Sequence, residues 1–320
     1  MRIGFYNDFR PCLVTDTGVI DISAEVQGLH SGSPQLTLEN IITNFHFLSP
    51  RLQQAEREGT RVPLGQVRLR PPVPRPGKVL CGQGNFKEGV EVTPLRPLGT
   101  FFKSPDAVIG IGDTIVLPTF RPVIFHHEAE LAAVIGRTAR NVPQAQALDY
   151  VFGYTTSVDV SARAPEEGEA GLAGNYGKSF DTFLPLGPAI VTADEIKDPN
   201  NLHVRYWVNG QLRQDYHTHD MDHPLSYVIA ALSAVMTLKP GDLIMCGTNH
   251  QGLGPLQDGD IGEIEIEGVG RSSNPVVDSL KRTWDRAVDP SMGARLKERR
   301  SSLQGTPTAG TWPLTPPSQQ

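Results

Sequence analysis

The stretch Phe125-His126-His127-Glu128-Ala129-Glu130-Leu131-Ala132-Ala133-Val134-Ile135-Gly136 sets two glutamates one residue apart in an otherwise apolar run. A β-branched, alanine-rich segment reads as a strand, in which residues i and i+2 point to the same face. The two carboxylates then lie side by side. In a semi-buried place they do not both stay ionised without a cation to share, because like charges a few ångströms apart repel by several kcal/mol in low dielectric. A hard divalent ion meets that need. A second arrangement also meets the spacing, with one glutamate solvated at a strand edge and the other paired with an arginine. These residues alone leave both open.

The elements that must position them belong to a soluble, turn-rich chain. Its 320 residues are 38% hydrophobic and 20% charged, enough for a full core and one or two domains. Lys+Arg 29 against Asp+Glu 35 gives a net charge of −6 and no basic footprint for nucleic acid, so the expected partner is a small molecule. Cys12, Cys81 and Cys246 are far apart and lack metal-ligand or disulfide spacing, which fits a reducing cytoplasm. Neither a secretory leader nor an apolar run long enough to span a bilayer is visible, so no membrane association is expected. Thirty-two glycines and 27 prolines predict many turns and short strands.

Along the chain, residues 1–76 read as a small N-terminal α+β domain ending in a connector. Short strands are expected at Gly4-Phe5-Tyr6, Pro11 to Thr15 and Gly18 to Ile22, and helices at Leu36 to Phe45 and Pro50 to Glu58. Pro71, Pro72, Pro74 and Pro76 then forbid a regular element. Residues 77–285 form the main domain, with strands expected at Lys78 to Cys81, Phe101 to Lys103, Thr114 to Leu117, Phe125 to Ile135, Val151 to Val160 and Gly241 to Cys246. A strictly alternating strand follows at Gly262 to Gly268, whose Glu263 and Glu265 face water. One helix is well marked between Asp222 and Leu238, with Asp222 and Pro224 as start signals and Lys239-Pro240-Gly241 as its stop. The glycine-rich loop Gly82 to Gly89 is not a phosphate loop, lacking a closing Gly-Lys-Ser/Thr. Residues 286–320 read as a largely disordered tail, since Ser301 to Gln320 cannot bury enough surface to order itself.

Several ordered blocks carry a resemblance. Phe125-His126-His127-Glu128-Ala129-Glu130-Leu131, Gly153 to Arg163, Gly177-Lys178-Ser179-Phe180-Asp181, Val208-Asn209-Gly210, Leu238-Lys239-Pro240-Gly241-Asp242 and Cys246-Gly247-Thr248 resemble the fumarylacetoacetate hydrolase family from about Lys78 to Asn274. The resemblance implies a mostly β (α+β) fold, a folded mixed-sheet roll with few helices, and a homodimer. It implies three oxygen ligands for Mg²⁺ or Mn²⁺, which map onto Glu128, Glu130 and Asp159. Three carboxylates suit a hard octahedral ion that keeps positions open for a chelating 2-oxo acid and stabilises its enolate. Lys178 matches the active-site lysine, Arg163 stands as a carboxylate clamp or a brace for Asp159, and Thr248 matches a substrate-binding position. His126 and His127 are expected behind the ligands.

The chain departs from the family where water is activated. Hydrolases of that family usually carry Asn-Tyr-x-x-His-x-x-Glu after the first core strand, whereas Asn85 to Val92 places Gly89 and Val92 at the histidine and glutamate positions. A glycine takes no proton. Glu88 in the altered loop and His250, in a Gly247-Thr248-Asn249-His250-Gln251-Gly252 turn longer than the usual one, are the candidate replacement bases. After Arg163 the family continues Asp-x-Gln, and here Ala164-Pro165-Glu166 follows. The implied activity is hydrolysis of a carbon–carbon bond in an acylpyruvate-like or 1,3-diketo acid, with Glu88, His250 or the ion itself activating water. The alternatives are a decarboxylase, hydratase or tautomerase of a 2-oxo acid, which needs no water attack, and a binder without turnover.

Overall fold

A computed structural model describes residues 1–93, 95–119, 122–163 and 175–305. Among the described residues the chain forms one 12-stranded sheet, a five-stranded sheet and a two-stranded ribbon. In the large sheet Arg2–Tyr6 is followed by Leu184–Thr192, Val151–Val158, Ala129–Ile135, Leu243–Met245, Val79–Gln83 and Gly99–Lys103. Ala129–Ile135 is buried at every position, as a central strand covered on both faces must be. Close passage of the next strand requires a glycine: a Cβ on Gly153 would lie 2.3 Å from the Val191 carbonyl oxygen. The five-stranded sheet runs Gln211–His217, His203–Val208, Ile261–Ile266, Gly270–Asp278, Ile115–Leu117. In Ile261–Ile266 the alternation holds, with Ile264 and Ile266 inward and the glutamates half-buried.

The leading residues extend the large sheet. Arg2–Tyr6 pairs antiparallel with Leu184–Thr192, matching Ile3 to Ile190. Beside this edge pack α1 (Pro34–Thr43), capped by the Ser33 side chain with Pro34 in its first turn, and α2 (Phe45–Glu58). The second helix starts five residues before the expected Pro50. That proline costs one backbone bond inside the helix, and fully buried Leu48 and Leu52 offset the loss.

α3 (Leu225–Val235) fills the marked helical segment, beginning directly after Pro224. Asp222, read as a start signal, does not cap it and pairs with Arg300 instead. Accordingly, the expectation of disorder from residue 286 is corrected over its first part: Pro290–Ser302 forms α4, capped by Asp289, whose side chain accepts from Ser291 N–H at 2.9 Å. Composition averaged over Ser, Pro and Gln masked a helix held by one buried arginine. Arg300 is 1% exposed and binds both carboxylate oxygens of Asp222, at 2.5 and 2.9 Å. Residues 306–320 lie outside the described residues. No helix among the described residues is long and apolar enough to cross a membrane.

Candidate active site and metal centre

The expected strand from Phe125 to Ile135 is two strands. Ile124–His126 pairs with Ser161–Arg163, while Ala129–Ile135 belongs to the large sheet, and Glu128 stands in the gap between them. The paired segment breaks opposite, between Val151–Val158 and Ser161–Arg163, and Asp159 stands in that gap. Asp159 N–H donates to the Glu128 carbonyl at 2.8 Å, locking the two breaks together. Oxygen atoms of Glu128, Glu130 and Asp159 consequently lie within 4.8 Å of one another, all buried. The buried Gln214 amide holds the break open: its Oε1 accepts from Ala129 N–H at 3.1 Å and lies 3.0 Å from His127 Nδ1.

Three cations surround this acidic cluster. Lys178 Nζ donates to Glu128, Asp159 and Ser161 at 2.6, 2.6 and 2.7 Å. Arg163 donates through its terminal nitrogen to Glu128 and through Nε to His126 Nδ1, at 3.1 Å for the latter. The third, Lys103, is fully buried, donates to Asp159 at 2.6 Å and also reaches the Lys178 carbonyl. Sequence reasoning missed it. A signal was present, since Lys103 lies on the inward face of the alternating strand Gly99–Lys103.

Charge is unevenly shared among the carboxylates. Burial pushes Glu128 up, but Lys178 and Arg163 outweigh it and hold its carboxyl well below the usual range. Glu130 goes the other way: burial, then the neighbouring Asp159 and Glu128, push it well above the usual value. Its one described hydrogen bond is from Gly247 N–H at 2.7 Å. The cluster is short of positive charge at Glu130. An oxygen-only donor set with that deficit suits a hard divalent cation.

Across the cavity the two candidate bases meet. His250 Nδ1 lies 2.7 Å from Glu88 Oε1, which also accepts the His250 backbone N–H at 2.9 Å. Nδ1–H therefore donates to the carboxylate, and Nε2 lies 3.8 Å from Glu128. Gly89 explains how Glu88 is aimed. Glu88 and Gly89 have φ of 55° and 73°, the mirror-image turn closed by Val90 N–H to the Lys87 carbonyl at 2.8 Å. Glycine takes that conformation at no steric cost, and histidine would not.

Thr248 lines the same cavity, yet its hydroxyl donates to the Ala129 carbonyl at 2.8 Å and accepts from Gln214 at 2.8 Å. That proton holds the strand in place. His126 is driven down to about 3 by burial, then by Arg163 and His127, so it is neutral; Nδ1 accepts from Arg163 and Nε2–H donates to Asp289 at 3.0 Å. The cap of α4 is thus wired to the clamp on Glu128. α4 also closes the cavity of about 360 Å³, contributing Met292, Leu296 and Arg299 opposite Glu128, Glu130, Arg163, Lys178 and His250. Residues 164–174, which include Ala164-Pro165-Glu166, lie outside the described residues.

Comparison with known proteins places these features among relatives. Residues 79–277 match the fumarylacetoacetate (FAA) hydrolase C-terminal family. A maleylpyruvate hydrolase of Aquipseudomonas alcaligenes is 32% identical over 286 residues, covering 84% of this chain and 97% of that one. A mitochondrial oxaloacetate tautomerase of Xenopus laevis is 39% identical over 223 residues, covering 66% and 69%. Among solved structures, a maleylpyruvate hydrolase from Sphingobium sp. SYK-6 in complex with manganese(II) and pyruvate superimposes with a TM-score of 0.78 at 36% identity, covering 87% of this chain and 99% of that one.

Proposed function

The chain belongs to the fumarylacetoacetate hydrolase family, and we propose that it is a divalent-metal-dependent hydrolase cleaving a carbon–carbon bond in an acylpyruvate-like or 1,3-diketo acid. The observation that carries this reading is the His250–Glu88 pair, in which His250 lines the cavity with Nε2 3.8 Å from Glu128 of the acidic cluster.

Glu128, Glu130 and Asp159 are the residues that would hold Mg²⁺ or Mn²⁺. Bound there, the ion supplies positive charge to the carboxylate and keto oxygens of a 2-oxo acid and to its enolate. Lys178, fixed by Glu128, Asp159 and Ser161, adds a second cation on the substrate side of the cluster. Arg163 neutralises Glu128, and Lys103 neutralises Asp159 from behind. His250 Nε2 takes a proton from water as its oxygen adds to the distal carbonyl carbon. Glu88 holds Nδ1–H and stabilises the imidazolium so formed. Breaking the carbon–carbon bond releases a carboxylic acid, and His250 returns the proton to the leaving enolate carbon, completing a 2-oxo acid such as pyruvate. Water is consumed and the dyad ends as it began.

The test follows acylpyruvate with Mn²⁺ in wild type and His250→Ala. Loss of the enol absorbance with two acid fragments in the wild type alone supports hydrolysis. A second reading is favoured by the tautomerase relative: the same dyad would move a proton between carbon and oxygen of a 2-oxo acid such as oxaloacetate, and exchange without fragments would replace the hydrolase reading. We also propose a cytoplasmic homodimer. Buried free thiols support the compartment. Val116 and Val277, register partners left 48% and 44% exposed, support an apolar contact surface, and sedimentation equilibrium decides it.

A further inference from the structure

Glu88 and His250 both sit in loops, and the residue before each of them is tied to Asp220. Residues 220–222 run antiparallel to residues 85–87 about a Phe86–Met221 bridge, with Lys87 N–H donating to the Asp220 carbonyl and Asp222 N–H to the Asn85 carbonyl, each at 2.9 Å. This fixes the backbone that enters Glu88. Buried Arg300 also holds that loop, donating to the Phe86 and Val90 carbonyls at 3.0 and 2.9 Å. The Asp220 side chain reaches the second loop, where its Oδ2 accepts from Asn249 Nδ2–H at 2.9 Å.

The loop that carries His250 needs such a hold, because it starts and ends on glycines in the left-handed region, Gly247 and Gly252 with φ of 88° and 87°. Between them Asn249 is held at three points. Its carbonyl accepts from Gln214 Nε2 at 2.7 Å, its Oδ1 accepts from Gln251 N–H at 2.9 Å, and its Nδ2 donates to Asp220. Of the three, the bond to Asp220 is the one that leads to a residue also holding the Glu88 loop. Burial pushes the half-buried Asp220 carboxyl up, the Asn249 hydrogen bond opposes the rise, and nearby Glu88 adds to it. Its charge works against the Glu88 carboxylate, and what it contributes to the pair is geometry.

We infer that Asp220 is a positioning residue for the reaction: its carbonyl places Glu88 and its carboxylate, through Asn249, places His250, so that the 2.7 Å contact between them is set by a residue that does not line the cavity. The inference rests on the reading of His250 as the base.

Two measurements on the full chain test it. In metal-free protein with ¹⁵N-labelled histidine, the His250 Nδ1–H held by Glu88 should give a slowly exchanging proton resonance, assigned by its absence in His250→Ala. Asp220→Ala should lose that resonance while keeping the one from His127 Nδ1–H, which faces Gln214 and shows that the variant is folded. Asp220→Asn retains an oxygen to accept from Asn249 and should restore it. With Mn²⁺, Asp220→Ala should lower kcat about 10- to 100-fold, the size of effect when an outer contact is lost, at unchanged KM and Mn²⁺ affinity. On the His250→Ala background the same substitution should lower kcat no further, since residues that act as a unit are not additive. The rate followed is acylpyruvate cleavage or, should the hydrolase reading fail, keto–enol exchange of oxaloacetate. An unmoved resonance, an unmoved rate in Asp220→Ala, or an equal fall on both backgrounds overturns the inference alone. A normal rate in His250→Ala overturns the base reading and the inference with it.

Discussion

Two glutamate pairs with identical spacing have opposite fates in this chain. Glu128-Ala129-Glu130 is buried with Asp159, whereas Glu263-Ile264-Glu265 is a quarter exposed and ion-paired with Arg205 and Arg271 on the five-stranded sheet. Spacing puts both pairs on one face, so spacing does not decide their chemistry. What differs is the strand around them. Glu263 and Glu265 alternate with Ile264 and Ile266 on a strand with one wet face. Glu128 and Glu130 adjoin a run buried on both faces, and a break in the strand turns Glu128 toward Asp159. Their remaining repulsion falls on Glu130, which has no cation within hydrogen-bonding reach among the described residues.

The contrast can be broken most directly with metal. Glu130→Ala and Asp159→Ala should remove Mn²⁺ binding, weakening it by more than the roughly 10–100-fold typical of outer contacts. Glu263→Ala and Glu265→Ala should leave the calorimetric constant unchanged, and surviving affinity in both cluster variants would refute the ligand assignment.

Next in size is the proposed base, His250, which only the buried pair has beside it. His250→Ala should lower kcat by about 100- to 10,000-fold at unchanged Mn²⁺ affinity. Glu88→Gln should do the same to a lesser degree; a normal kcat in either variant removes the dyad from the reaction.

The same inside-versus-outside difference extends to arginine–carboxylate pairs. Arg300→Met strands Asp222 in the interior and should cost about 3–5 kcal/mol in urea unfolding. Arg271→Met, whose side chain is 54% exposed, should cost less than about 1 kcal/mol. Equal losses would mean that α4 is not anchored by Arg300. Smallest of all, Gly89→Ala forces a side chain into a left-handed turn, with only ordinary contact to Gln251 Nε2 at 3.9 Å, and should cost about 1 kcal/mol.

Much of this was legible in the chain because short blocks carry it: the carboxylates of the acidic cluster fall in the two segments around Glu128 and Asp159, and Lys178 in a third. The helices α1 to α3 followed from periodicity, and boundaries moved where burial overruled proline. Three features were not legible, for one reason. Lys103 meets Asp159 across 56 residues, Glu88 meets His250 across 162, and Asp222 meets Arg300 across 78. Periodicity reports which face of an element is buried and says nothing about which distant element covers it. Glu88 and His250 were each nameable as a base, but their union is a property of two loops folded against each other. Gly89 had looked like the loss of a catalyst. It is part of the turn that aims Glu88 at His250.

The latch made by Arg300 has a consequence for the order in which the molecule becomes competent. Every carboxylate of the acidic cluster has been synthesised by residue 159, and His250 well before the last helix, yet the carbonyls of Phe86 and Val90 that bracket Glu88 gain their guanidinium partner only with residue 300. A nascent chain stopped before Pro290 should therefore hold Mn²⁺ while turning over no substrate, so that the ion is loaded before the base is set, and the reaction waits for the ribosome to let go of the closing helix.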